Sequence, residues 1–275
     1  MVESLQNPNV AASRCGGRRS DLATHQMVRL RYLFVGFAAL LALCLGVPAR
    51  AGPPYVSDDP EPTDYRHWEI YVFATGGARE GETAADGGVD LNYGAAKDLQ
   101  LTAVLPLSYN RTGGRSRFGS GDVELAAKLK LVHQSKGSPI PDIAIFPRVF
   151  LPTARSGLGT GRVQLLLPIW AQKDLGRWAA FGGGGYVINP GAGNRDYWLT
   201  GLGLTRALTK SVTVGAEVYH HGPDSVGGKP FTGVNAGLAW RIRGPYSFLL
   251  SFGPGLQHRR EEGRYAVYTA LKLDL

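Results

Sequence analysis

Residues 121–131 read GDVELAAKLKL, and residue type alternates there with a period of two. Val123, Leu125, Ala127, Leu129 and Leu131 fall on one face, while Asp122, Glu124, Lys128 and Lys130 fall on the other. Successive side chains of an extended strand point to opposite sides, so this stretch has one aliphatic face and one face bearing both signs of charge. A slip of one residue would exchange the two, which ties the register to whatever surrounds each face.

The same period recurs along the chain. Twelve segments of about ten residues show it, at 67–75, 87–95, 99–110, 121–132, 142–152, 162–173, 178–189, 196–206, 211–221, 231–242, 246–256 and 265–275. The connections alternate in length. AAKD, KDLGR, ALTKS and RGPY are tight turns, whereas GGAREGETAADG, RTGGRSRFGSG, TARSGLGTG, PGAGNRD, GPDSVGGKP and HRREEG are longer, polar and glycine-rich. HQSKGSPIP (133–141) is long where a short connection is due. An even number of strands with short turns at one end and long loops at the other describes an up-and-down meander whose two ends meet.

The N-terminal region reads as an address rather than as fold. MVRLRYLFVGFAALLALCLGVPARA begins at Met27 with two arginines, continues into an apolar run and ends on Ala49-Arg50-Ala51. That is the basic, apolar and small-residue order of a cleaved secretory signal over 27–51, with 1–26 as an over-long N-terminal extension. Both cysteines, Cys15 and Cys44, precede the cut, so the processed chain has no disulfide, thiolate nucleophile or cysteine metal site. Six of the 30 basic and two of the 22 acidic residues also precede Gly52, leaving 24 against 20, so the charge of +8 falls to +4 and gives no reason to expect nucleic acid.

An exported chain of ten-residue amphipathic strands is either a soluble sandwich or a membrane barrel. A tilted membrane strand needs about 9–11 residues, whereas soluble strands cluster near five or six. Backbone groups in lipid must all be paired, so such a sheet has to close. The expected fold is therefore all-β: an up-and-down antiparallel transmembrane β-barrel of about 12 strands over 67–275, in the bacterial cell outer membrane. Aliphatic faces such as Leu101, Leu105 and Leu107 would meet lipid, and Asp90, Asn92, Gln100, Thr102, Gln172, Asn235 and Asp274 would line the lumen. Trp68, Trp178, Trp198, Trp240, Tyr246 and Tyr265 stand near strand ends, as interfacial girdles require. Gly182-Gly183-Gly184-Gly185 inside the seventh segment marks sharp curvature of the wall or room in the lumen.

Several stretches together carry a resemblance: GPPYVSDDPEPTDYRHWEIYVF (52–73), LQLTAVLPLSY (99–109), GSGDVELAAKLKL (119–131), FPRVFLPT (146–153), GRVQLLLPIWAQKDLG (161–176) and FGGGGYVINPG (181–191). Over nearly all of 52–275 the chain resembles outer-membrane transporter barrels of the MetA-pathway-of-phenol-degradation family. The resemblance implies fold and location, and no catalytic or ligand-binding residues carry over with it. One departure is the C-terminus, where Leu275 replaces the usual terminal aromatic.

A barrel of this size, between filled eight-stranded and open sixteen-stranded ones, implies a narrow lumen passing small solutes by width and wall charge. By parity, Glu124, Lys128, Lys130, Arg148, Glu217 and Lys272 are the pore candidates. No cofactor is implied. Residues 52–66 form an acidic, proline-bearing leader in the periplasm, or a plug whose Asp58, Asp59 and Glu61 meet Lys128, Lys130 or Arg148; calcium on SDDPEP is a weaker reading. His221 shares a face with Glu217 and Tyr219, which raises an outer-membrane lipid hydrolase as the alternative, although no serine stands in a recognisable partner motif. A structural or adhesive barrel without transport is the third reading. GLGTG and PGAGNRD are loop tips rather than phosphate loops, because no helix follows either. Loop bases including Arg111, Arg117, Arg155, Arg162 and Arg259 suit lipopolysaccharide phosphates or anionic solutes, or simply keep the loops soluble. Outer-membrane lipid is the expected surround.

Overall fold

The computed structural model describes residues 54–275. The signal segment 27–51, the extension 1–26 and the first two leader residues lie outside the described residues. Fourteen strand segments form one antiparallel sheet: β1 (Trp68–Arg79), β2 (Glu82–Ala96), β3 (Leu99–Thr112), β4 (Arg115–Ser120), β5 (Val123–Val132), β6 (Asp142–Ile145), β7 (Arg148–Leu151), β8 (Gln164–Leu175), β9 (Trp178–Ile188), β10 (Tyr197–Ala207), β11 (Val212–His221), β12 (Phe231–Arg243), β13 (Tyr246–Gln257) and β14 (Tyr265–Asp274). β4 and β5 both pair with β3 and together make one staff of the wall, and β6 and β7 both pair with β5 and β8 and make another. The wall thus has twelve staves.

It closes. β1 pairs with β14 from Glu69↔Asp274 to Ala78↔Tyr265, and Trp68 and Leu275 exchange two backbone hydrogen bonds of 2.8 and 2.9 Å at the seam. Closure removes the free edge that lipid could not satisfy.

The side-chain distribution is inverted relative to a soluble protein. Leu105, Leu107, Leu131, Ile169, Leu202 and Leu271 each leave half or more of their surface open on the outer face. Asn92, Gln100, Thr102, Glu124, Lys128, Gln172, Glu217 and Asn235 are all buried on the inner one. A sandwich would bury the leucines and wet the ions, so this pattern identifies an outer-membrane barrel. Trp68, Trp178, Trp240 and Tyr246 are exposed near the short-turn end, and Trp198 and Tyr265 near the long-loop end.

Two of the expected long loops are instead strand. GGAREGETAADG continues β1 into β2 through a turn at Glu80-Gly81, with Arg79 opposite Glu82. RTGGRSRFGSG continues β3 into β4 through Gly113-Gly114, both at positive φ (57° and 80°), as a two-residue hairpin turn with the twist of its strands demands. Glycine and short polar residues, which read as loop, here build paired ribbon rising past the membrane. The segment 142–152 is also not continuous: Phe146-Pro147 separates β6 from β7, because Pro147 has no N–H to give. The neighbours adjust, with Ala127 N–H donating to Pro147 O at 3.2 Å and Phe146 N–H to Pro168 O at 3.2 Å. The long short-end connection 133–141 is tied by Gln134, which donates to Asp142 from its backbone at 2.8 Å and from its side chain to Asp142 and Asp174 at 2.6 and 2.9 Å.

Candidate functional site

The lumen is crossed by the chain's own leader. Pro60 and Pro62 keep it extended, and it touches opposite walls in turn. On the β10–β13 side, Ser251 Oγ donates to the Pro54 carbonyl at 2.6 Å. The Tyr55 ring packs on Phe181 with centroids 5.3 Å apart. Its hydroxyl lies over Gly215 and Gly237, a cross-strand pair where an added Cβ would stand 2.5 Å from the Tyr55 oxygen. These glycines provide room rather than flexibility. Gly201 does the same for Ser57, whose Oγ occupies the space of the missing side chain.

Glu217 on β11 is the principal anchor. Its carboxylate accepts from Val56 N–H at 2.7 Å, Ser57 N–H at 2.9 Å and Ser57 Oγ at 2.8 Å, and from Asn235 Nδ2 at 2.8 Å. The residue is buried, and its charge is met by N–H and O–H donors rather than by a lysine or arginine. Such charge-assisted bonds are about twice as strong as neutral ones.

The opposite wall holds the acidic part of the leader. Lys128 Nζ lies 3.1 Å from Asp58 and 3.5 Å from Asp59, and Lys130 Nζ lies 2.6 Å from Glu61 and 3.1 Å from Asp142. Thr63 donates to Gln100 Oε1 from its N–H (2.8 Å) and hydroxyl (3.1 Å), within a network where Gln100 bonds Asn92 and Thr102 at 2.7 and 2.9 Å. Arg66 N–H then meets the Gly94 carbonyl at 2.7 Å as the leader turns into β1. Burial pushes the Asp59 carboxyl up to about 7 against the opposing pull of Lys128, and burial with Glu217 nearby raises the Tyr55 phenol well above its ordinary range.

The remaining candidates pair across the wall. Arg148 and Glu124 form a two-point clamp at 2.7 and 2.8 Å, with the guanidinium 5.4 and 5.8 Å from the Phe146 and Phe150 rings. Lys272 bridges Glu69 and Asp274, each at 2.8 Å, across the closing seam. All six candidates face inward, but they do not make one ring. Five are tied up in ion pairs, and Glu217 stands apart from them on the leader's anchor. Beneath the leader, toward the short-turn end, a cavity of about 760 Å³ remains.

Aromatic side chains fill part of the lumen: Trp170, Tyr219 and Phe231, which share the parity of Gln172, Glu217 and Asn235, and Phe181 are all buried inside the wall. Within the glycine run, Gly183 sits at φ 152°, and an added Cβ there would run into the Ile169 carbonyl oxygen before meeting Trp170 Cε3 at 3.1 Å. The run lets the backbones of β8 and β10 approach it closely.

The hydrolase candidate His221 faces inward between Tyr197 and Phe231, with Nδ1 on the Gly222 carbonyl at 2.8 Å. Its neighbour His220 faces outward and contacts Thr232 Oγ1 at 2.9 Å, and that hydroxyl is given to Gln257 at 2.9 Å. Among the described residues, these contacts give neither histidine both an orienting carboxylate and a free hydroxyl, as a nucleophilic triad requires. Asp58 and Asp59 are engaged by Lys128, and no group of three potential metal ligands occurs among the described residues.

No family model matches the chain, and no curated protein matches it. Among solved structures, an outer membrane channel from Pseudomonas putida F1 shares the fold with a TM-score of 0.62 and 16% identity, over 78% of this chain and 99% of that one. Outer membrane phospholipase A from Escherichia coli gives 0.44 at 12% identity, over 80% and 92% of the two chains. The CymD monoaromatic hydrocarbon channel gives 0.43 at 10%, over 78% and 89%. The first likeness fixes the fold as an outer-membrane barrel, and at these identities none fixes an activity.

Proposed function

We propose that the protein is a passive outer-membrane channel for small solutes, held narrow by its own leader. The observation that carries this reading is a closed wall with a charged, hydrogen-bonding interior that is crossed by residues 54–66 through non-covalent contacts alone. A barrel whose purpose was structural would fill its interior from the wall, as eight-stranded barrels do. Here the wall glycines at Gly201, Gly215 and Gly237 leave space that Ser57 and Tyr55 of the leader enter. Glu124, Lys128, Lys130, Arg148, Glu217 and Lys272 would set the passage, Glu217, Lys128 and Lys130 by seating the leader and the others by fixing the charge of the chamber. The chain contains no energy-coupling element in this reading, so flux follows the gradient.

Membership of the MetA-pathway-of-phenol-degradation group fits this reading, because the resemblance spans the leader as well as the wall. The channel found in Pseudomonas putida F1 supports it through the shared fold. Lipopolysaccharide is the proposed neighbour of the long-loop end, where Arg111, Arg117 and Arg155 stand beyond the apolar belt. The hydrolase reading is the weaker one, given the surroundings of both histidines.

The reading is tested by swelling of liposomes containing purified protein in a series of neutral solutes of graded size. Swelling with the smallest and none with the largest is expected. No swelling with any solute, in wild type and in Glu217→Gln alike, would refute it.

A further inference from the structure

The cavity beneath the leader has an unequal charge count. Eight carboxylates line it, Asp58, Asp59, Glu61, Asp64, Glu69, Asp90, Glu124 and Asp274, against five lysines and arginines, Lys128, Arg148, Lys210, Arg241 and Lys272. Lys128 answers two of those carboxylates, Lys272 two and Arg148 one, and Lys130 answers Glu61. Away from the rim, Asp90 is left over. It accepts from Asn92 Nδ2 at 2.8 Å and has no ion-pair partner among the described residues. Lys210 and Arg241 are exposed at the cavity rim, as Asp64 is, and salt screens all three.

Asp90 has particular surroundings. It stands opposite Tyr71 on β1 and Val104 on β3. Tyr71 lines the cavity and commits its hydroxyl to Glu69 at 2.9 Å. Phe73 and Tyr268 extend the aromatic wall, stacked at 11° with centroids 6.4 Å apart. The barrel already uses this chemistry, since Lys272 Nζ lies 5.6 Å over the Tyr71 ring and Lys128 Nζ 4.8 Å over Phe146. A carboxylate without an ion pair of its own beside aromatic rings, inside low-dielectric walls that focus its field, is complementary to a positive charge and repels a negative one.

We infer that this chamber makes the pore cation-selective, that Asp90 sets the preference, and that the wall of Tyr71, Phe73 and Tyr268 extends it to small organic ammonium ions. The inference rests on the channel reading and adds to it the class of solute that passes. The loop arginines at the opposite end do not contradict it, because selectivity is decided in the narrow, poorly screened part of a path.

The test is the reversal potential of purified full-length protein in planar bilayers under a potassium chloride gradient at pH 8. Wild type should show a potential of the sign that marks potassium as more permeant than chloride, and the preference should shrink as salt rises. Asp90→Asn should lower the potassium-to-chloride ratio by about two-fold or more, whereas Asp90→Glu, which keeps the charge, should preserve it. With tetramethylammonium replacing potassium, Tyr268→Leu should lower the permeability of the organic ion relative to potassium and leave the potassium-to-chloride ratio unchanged. Anion preference or no preference in wild type overturns the inference, and so does an Asp90→Asn channel with an unaltered reversal potential. The wild-type sign decides the matter even if a variant fails to insert. Absence of conductance from wild type and Glu217→Gln together is a different result, and it would remove the channel reading itself.

Discussion

The anchor at Glu217 lends itself to a quantitative prediction. Glu217→Gln preserves shape but removes the charge and turns one acceptor oxygen into a donor facing other donors. Three of the four bonds to this carboxylate come from the leader: Val56 N–H, Ser57 N–H and Ser57 Oγ. A hydrogen bond to a charged group is worth about 1.5–3 kcal/mol net, against about 0.5–1.5 for a neutral one. The loss is therefore about 1 kcal/mol for each of the leader's three bonds, or about 3 kcal/mol in all. At about 1.4 kcal/mol per decade, the balance between seated and released leader should move by about two orders of magnitude. The fourth bond, from Asn235, belongs to the wall and does not bear on seating. Single-channel recording reads the effect as shortened closed intervals and a higher mean conductance, and limited proteolysis reads it as faster cleavage within residues 54–66. Ser57→Ala, which loses one bond of the three, should fall between wild type and Glu217→Gln. If Glu217→Gln folds, as judged by a heat-modifiable band on a gel, yet opens and cleaves like wild type, the anchor is not what holds the leader.

Other perturbations separate wall, lumen and leader. Gly237→Val puts side-chain atoms where the Tyr55 hydroxyl rests, 2.5 Å from an added Cβ, so it should release the leader while leaving the barrel folded; a leader as protease-resistant as in wild type would contradict the fit. Leu105→Lys places a charge on the lipid face at a cost of about 2–4 kcal/mol near the midplane and should deplete the folded band, whereas Val104→Lys, one residue away and inward beside Asp90 and Glu124, should be tolerated. The pH dependence follows from Asp59. Seated, it keeps its proton up to about 7 because it is buried, with Lys128 opposing and Asp58 and Glu69 adding to the rise; released, it titrates in the ordinary carboxyl range near 3.8. The seated state therefore holds the extra proton between those values, so its advantage is complete at low pH and is lost as pH rises toward 7. Conductance should increase from about pH 5 to pH 8, and Asp59→Asn should flatten the profile.

The wall was legible in the sequence because its information is local. Period-two alternation is imposed by the surroundings of each face, and so Leu125, Leu129, Lys128 and Glu124 declared their sides without knowledge of any partner strand. Girdle aromatics such as Trp68 and Trp240 were legible for the same reason. The hairpin extensions were not, because Gly76, Gly87 and the residues around Gly113-Gly114 have loop composition and become strand only through the partner they pair with. The anchor was beyond reach in another way: Ser57 and Glu217 are separated by 160 positions, and parity says that Glu217 points inward but not what it meets. Wall glycines were equally ambiguous. Gly215 and Gly237 look like weak points in strands, and only Tyr55 resting on them reveals the fit. The one available hint was compositional, an acidic leader ahead of strands with inward lysines.

The most direct test of the whole account is a planar-bilayer recording of the purified protein beside its Glu217→Gln variant. A wet lumen closed by a seated leader predicts small or intermittent conductance steps in the wild type and larger, longer ones in the variant. Silent bilayers from both proteins, each shown to be folded and inserted, would contradict it.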